Sequence, residues 1–254
     1  MAPGTLHRHT LVSRRLRARR DLVVYVPPGY ADDARRRYPV LYMQDGQNLF
    51  DPATSFIRGH YWRMNAAADA LILAGRIRPI IIVGTYNGGR QRKEEYTPAR
   101  DPRRGGGAAA IYLDALIEEV KPLIEANYRT LREARHTGVG GSSLGGLFAL
   151  YAGLERPDVF RRICCMSPSV WWARKTIIRN VLERSPRPRI SVWLDIGTNE
   201  GAVALEDARQ LRAALERRGW AEGRDLRYTE APGASHDEDA WAQRVAPMLE
   251  FLYG

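Results

Sequence analysis

The segment "HTGVGGSSLGGLFALYAGLERPD", His136 to Asp158, sets two serines in a run of glycines just ahead of a stretch of helical composition. A serine hydroxyl held at a tight turn between strand and helix is placed for nucleophilic attack on a carbonyl, the chemistry of acyl transfer. Gly141, Ser142, Ser143, Leu144 and Gly145 match G-x-S-x-G with Ser143 at the centre, whereas centring on Ser142 puts Leu144 where the second glycine belongs. The spacing has a physical cause. The central residue of such an elbow adopts strained backbone geometry, and helix and strand approach closely only if the residues two positions to either side lack side chains. The backbone N–H of Leu144 then faces the point where an oxyanion develops.

A serine hydroxyl is a weak nucleophile until a base takes its proton, and histidine is the usual base at neutral pH. The chain has five histidines. His7 and His9 fall in the N-terminal strand region, His60 precedes a helical stretch, and His136 stands at the start of the elbow strand, away from the serine. His236, in "APGASHDEDAW", follows the last strand at the same sheet end as Ser143 and is the candidate base. The orienting acid is expected between the two in sequence, because elbows of this type run serine, acid, histidine. Asp195 lies within the strand "ISVWLDIG", and Glu200 lies in the loop beyond it, from which a carboxylate reaches an imidazole more readily. Glu200 is favoured, and Asp195 remains the alternative, with a bracing role otherwise. Asp237 and Asp239 follow the histidine too closely to orient it and suit a cap on the last helix.

These residues need a scaffold that gathers them, and the hydropathy pattern supplies one. Short apolar runs, "YPVLYMQDG", "RPIIIVGTY", "RRICCMSPS", "ISVWLDIG" and "DLRYTEAPG", alternate with the helical stretches 61–77, 108–128, 205–219 and 237–252. Gly219 suits a helix stop, and Pro122 predicts a kink in the second helix. An N-terminal hairpin precedes this alternation, with "SRRLRARRDLVVYV" read as edge strands with a charged outer face. The pattern calls for a mainly parallel sheet covered on both faces, with sites at the carboxyl ends of its strands. The stretch 87–107 is polar, basic and glycine-rich, and it reads as a long loop at the site. No repeat or linker composition splits the chain, so one domain spanning 1–254 is expected.

The formal charge of +10 raises the question of nucleic acid. Nearly every cation is arginine, Lys93, Lys121 and Lys175 being the lysines, and the arginines are scattered without a recognition motif. A solvated surface is the preferred reading, with no nucleic-acid partner and, at most, steering of an anionic substrate. No window has the apolar length of a membrane span, and no apolar leader run opens the sequence. Cys164 and Cys165 are adjacent, so they are read as buried thiols rather than a bridge, which favours a reducing, cytoplasmic location. Neither metal nor cofactor is expected.

Taken together, "VYVPPGY", "VLYMQDGQNLF", "EYTP", "GGSSLGGL", "MSPSVWW", "LDIGTNEG" and "SHDEDAW" resemble the esterase D-like group of α/β hydrolases, which includes enterochelin esterases, S-formylglutathione hydrolases and feruloyl esterases. The likeness covers nearly the whole chain. It implies an α/β-hydrolase fold and a serine carboxylesterase acting on a small-molecule ester. Siderophore or feruloyl esters, or acyl transfer on the same fold, are the alternatives. Carried onto this sequence, it implies Ser143 as nucleophile, His236 as base and Glu200 as acid. It also implies the backbone N–H of Gln47 as a second oxyanion donor beside Leu144. Trp171 and Trp172 match a pocket wall, and Arg92 and Tyr96 lie in a segment bordering the site. The arginine-rich "ARDPRRGGG" departs from the family pattern. Acyl specificity and oligomeric state are not readable from the sequence.

Overall fold

The computed structural model describes residues 2–254. A hairpin of β1 (Thr5–Ser13) and β2 (Ala18–Val26) leads into β3 (Val40–Gln44), α1 (Met64–Leu73) and β4 (Ile81–Thr85). Next come α2 (Arg92–Tyr96), α3 (Ala109–Ala115), α4 (Lys121–Asn127), β5 (Thr137–Ser142) and α5 (Leu144–Glu155). The chain continues through β6 (Arg162–Met166), α6 (Trp172–Glu183), β7 (Ser191–Gly197), α7 (Ala202–Arg217) and β8 (Leu226–Ala231), and it ends in α8 (Glu238–Tyr253). The strands form one eight-stranded sheet in the order β1-β2-β4-β3-β5-β6-β7-β8. β1 and β2 pair antiparallel, as do β2 and β4, and every other pairing is parallel. This is the mainly parallel sheet with an N-terminal antiparallel pair expected of an α/β hydrolase.

Strand side chains alternate between faces, so each central strand feeds two cores. Val40 and Tyr42 join the core beneath α3 to α7, while Leu41 and Met43 join the core beneath α1 and α8. Cys165 and Cys164 divide in the same way, both fully buried on opposite faces, and both are free thiols. Among the described residues, no helix is long and apolar enough to cross a membrane.

The structure differs from the sequence reading in four places. First, Pro122 does not kink a simple helix: a π-helical turn, Leu116–Val120, joins α3 to α4 and leaves the proline in the first turn of α4. The wider turn accommodates a residue that has no N–H and whose ring crowds the preceding carbonyls. Second, the stretch 87–107 is not one loop. It contains α2 and a small bridge between Asp101 and Gly105, and it is pinned by a buried Arg20–Glu95 ion pair. Arg20 therefore departs from the charged outer face expected of its strand. Third, α6 had no counterpart in the sequence reading, because its buried stripe narrows to Trp172, Ile177 and Val181 among basic residues. Fourth, Asp237 alone caps α8, accepting from the Ala240 N–H at 2.8 Å, while Asp239 pairs with His60.

Asp237→Ala removes that cap and is expected to lower stability by about 1 kcal/mol. Urea unfolding followed by circular dichroism measures the change.

Candidate active site

The carboxyl ends of β3, β5, β6, β7 and β8 open on one side of the sheet and deliver Asp45, Ser143, Ser167, Glu200 and His236, respectively, to one region. Ser143 joins β5 to α5 with φ 57° and ψ −123°, a conformation that residues with a Cβ rarely adopt. The glycines around it explain how the turn closes. A Cβ on Gly141 would stand 2.8 Å from the carbonyl carbon of Gly145. The turn is held by the Ser143 N–H donating to the Met166 carbonyl at 3.0 Å and the Ser169 N–H donating to the Ser143 carbonyl at 3.0 Å. Asp45 (φ 55°) and Ser167 (φ 41°) are likewise left-handed, so backbone strain gathers at three neighbouring strand ends.

Ser143 and His236 together line two cavities. The larger, of about 600 Å³, is bounded by Asp45, Gln47, Phe56, Tyr86, Glu238 and Trp241 among others. The smaller, of about 250 Å³, is bounded by Pro168, Ser169, Trp171, Ile196 and Glu200 among others. The larger falls within the size range of small-molecule sites. The Ser143 hydroxyl lies 3.3 Å from the Ser169 hydroxyl, and among the described residues that is its hydrogen-bond partner.

The two candidate acids occupy distinct environments. Glu200 Oε2 is 2.6 Å from His236 Nδ1. Its Oε1 accepts from the Ser167 hydroxyl at 2.5 Å and the Gly197 N–H at 2.7 Å. Burial would raise the Glu200 pKa, but the hydrogen bonds from His236, Ser167 and Gly197 outweigh it and hold the carboxyl below its ordinary value. Asp195 is fully buried and makes no contact with His236; it accepts from the Trp193 indole N–H at 2.6 Å and the Ser167 N–H at 3.2 Å. Burial pushes Asp195 up to about 6, against the opposing charge of Arg244, whose Nε lies 3.2 Å away.

Between them sits Ser167, a residue the sequence reading did not single out. Its hydroxyl donates to Glu200 and accepts from Trp241 Nε1 at 3.0 Å and from an Arg244 terminal nitrogen at 2.9 Å. Trp241 also meets the His236 ring edge-on, with centroids 5.0 Å apart. The available signal was Ser167's place at the carboxyl end of a strand, inside the quoted "MSPSVWW".

The remaining expected residues divide. Gln47 lines the larger cavity, and Leu144 begins α5 directly after Ser143. Arg92 also lines the larger cavity, with both forks bound to Asp45 at 2.7 Å, so its charge is already matched. Tyr96 does not border the cavity: it is fully buried, and its hydroxyl accepts from the Asp45 N–H at 3.2 Å, bracing that turn. Trp171 lines the smaller cavity beneath the Arg104 guanidinium. Trp172 is buried instead, its indole N–H donating to the Ala99 carbonyl at 2.7 Å, and it supports the 87–107 segment from below. Of the other histidines, His9 bonds Tyr128 and His60 bonds Asp239, both apart from Ser143. Among the described residues, no group of histidine, cysteine and acidic side chains is placed to hold a metal ion.

Comparison with known proteins gives the chain a family and relatives. The family model described as "Putative esterase" matches residues 13–252. An uncharacterized Bacillus subtilis protein, YbbA, is 26% identical over 99% of this chain and 97% of its own length. The siderophore triacetylfusarinine C esterase of Aspergillus fumigatus is 34% identical over 53% of this chain, which spans 45% of that relative. A solved ferulic acid esterase superposes with a TM-score of 0.78 over 99% of both chains at 20% identity, a likeness of fold.

The lowered pKa of Glu200 fixes the sign of a pH effect. The unfolded chain binds the proton more tightly, so the contribution of this carboxylate to stability is complete above its ordinary value of 4.5 and is lost as pH falls through the lower folded value. The stability advantage of the wild type over Glu200→Gln is therefore expected to be full at pH 7 and to shrink below about pH 4.5, as urea midpoints across a pH series would record.

Proposed function

The chain belongs to this esterase family of carboxylic ester hydrolases, and from that premise we propose that it works as a serine esterase through an acyl-enzyme on Ser143. The observation that carries the reading is the 2.6 Å contact between Glu200 and His236 at cavities that also contain a serine on a left-handed elbow.

In this mechanism Ser143 Oγ attacks the ester carbonyl carbon while His236 Nε2 takes the hydroxyl proton. Glu200 accepts from Nδ1–H, which fixes the imidazole tautomer and stabilises the imidazolium as it forms. The oxyanion is met by the backbone N–H groups of Leu144 and Gln47. Collapse breaks the C–O bond to the alcohol, which leaves with the proton from His236. Water then attacks the acyl-enzyme with His236 again as base, releasing the acid and restoring the serine. The His236 side chain is 44% exposed, so solvent reaches the base, which favours hydrolysis over transfer to another acceptor.

The relatives' names point to siderophore and ferulic acid esters. In the larger cavity, arginine steering adds little to the case for an anionic ester, because Arg92, the arginine lining it, is committed to Asp45.

Ser143→Ala is expected to lower turnover of a p-nitrophenyl acyl ester by roughly 10⁴-fold or more, leaving what binding and oxyanion stabilisation alone provide. Turnover near the wild-type level would overturn the assignment. Between the acids, Glu200→Ala is expected to cut kcat by about 10²-fold or more and Asp195→Asn by less; the opposite order moves the orienting role to Asp195.

A further inference from the structure

The larger cavity contains a carboxylate that the proposed mechanism does not use. Glu238, the first residue of α8 and two positions beyond His236, is 6% exposed and borders the same space as Ser143. Asn48 Nδ2 donates to its Oε1 at 3.1 Å, the residue's own backbone N–H at the start of α8 also supports the carboxylate, and no other residue among those described donates to Oε2. The other acid at this wall, Asp45, is neutralised by two bonds from Arg92. One negative charge is therefore left unmatched. Burial raises the pKa of Glu238, and the charges of Asp237 and Asp45 add to it, against the opposing effects of the residue's own backbone N–H and His236.

The surroundings suit a cation. Phe56, Tyr86 and Trp241 give the cavity aromatic surface, which attracts ammonium groups through the ring quadrupole. Asn48 also accepts from the Phe56 N–H at 2.9 Å, so one side chain fixes both the aromatic wall and the carboxylate. An anionic substrate group in this place would meet that carboxylate instead.

We propose that Glu238 is a specificity-determining residue of the larger cavity, its Oε2 accepting a hydrogen bond from a protonated amine carried by the ester substrate. This rests on the ester-hydrolysis reading and adds the substrate class to it. A role confined to the helix N-terminus would affect stability without altering the choice of substrate.

The test compares matched esters that differ only in an ammonium group. On the acyl side these are the p-nitrophenyl esters of 5-aminopentanoate and hexanoate; on the alcohol side, 3-aminopropyl and butyl butanoate. The readout is the ratio of kcat/KM, ammonium over neutral, for wild type and Glu238→Gln. In at least one pair the substitution is expected to lower the ratio roughly tenfold or more, the loss of one charge-assisted hydrogen bond. A ratio that Glu238→Gln leaves unmoved in both pairs overturns the proposal. Should the variant fail to fold, inhibition of wild-type neutral-ester turnover by n-butylammonium and by 1-butanol decides instead. The ammonium is expected to bind about tenfold more tightly, and equal inhibition overturns the assignment. Wild-type turnover of the neutral esters separates the two levels. Its absence counts against the Ser143 mechanism and takes the Glu238 assignment with it; its presence with an unmoved ratio counts against Glu238 alone.

Discussion

The site depends on one close approach, the contact of Gly141 against Gly145 that lets β5 turn into α5 within a single residue. That turn holds Ser143 in a conformation costing of order 1–3 kcal/mol, which the surroundings must offset. α5 does much of this. It is buried nearly all round, from Gly145 to Leu154, and its packing against β5 and β6 fixes the direction in which the chain leaves the elbow. The strained turns at Asp45 and Ser167 fall at the ends of the strands flanking β5, so all three face one another across the parallel register. Strain placed there positions polar side chains at the mouth of the sheet, while the strands below remain apolar and regular.

Two buried acids at the carboxyl end of one strand, β7, would repel, and the structure separates them by partner. Asp195 has the Trp193 indole, the Ser167 N–H and the charge of Arg244; Glu200 has the Ser167 hydroxyl, the Gly197 N–H and His236. Ser167 touches both sets, with its backbone to one acid and its hydroxyl to the other. Since that hydroxyl also accepts from Arg244 and Trp241, its own proton can go only to Glu200, and the direction of the network is set. Glu200 thereby presents a fixed oxygen to the imidazole, and Trp241 restrains the imidazole ring from its edge.

The parts legible from the sequence were those governed by local rules. The elbow spacing, the alternation of apolar runs and the loop position of Glu200 each depend on residues near one another in the chain. The parts that were not legible depend on pairings across it. Tyr96 and Trp172 resemble wall residues by motif, yet their polar atoms find partners at Asp45 and Ala99, and satisfying those groups draws the rings inward. The segment 87–107 has the composition of a loop, but burial of Glu95 against Arg20, 75 positions away, organises it. No window-based pattern contains that ion pair. The helical stretch around Pro122 was legible as a helix, while the π turn that accommodates the proline was not.

The formal charge of +10 describes the exterior better than the site. Inside, arginine serves as a structural counter-ion: Arg20 for Glu95, Arg92 for Asp45 and Arg244 for Asp195. Its planar fork suits this use, since Arg92 binds both oxygens of Asp45 at once and so fixes the turn carrying Gln47 as well as its charge. A buried cation spent in this way exerts little attraction on a substrate, because the carboxylate beside it closes the field at short range. Among the described residues no ion pair reaches Glu238, so in the proposed reading this acid sets the local balance in the larger cavity. Selectivity at the reacting centre can therefore oppose the sign of the whole molecule, because long-range attraction is screened by salt whereas a buried pair is not.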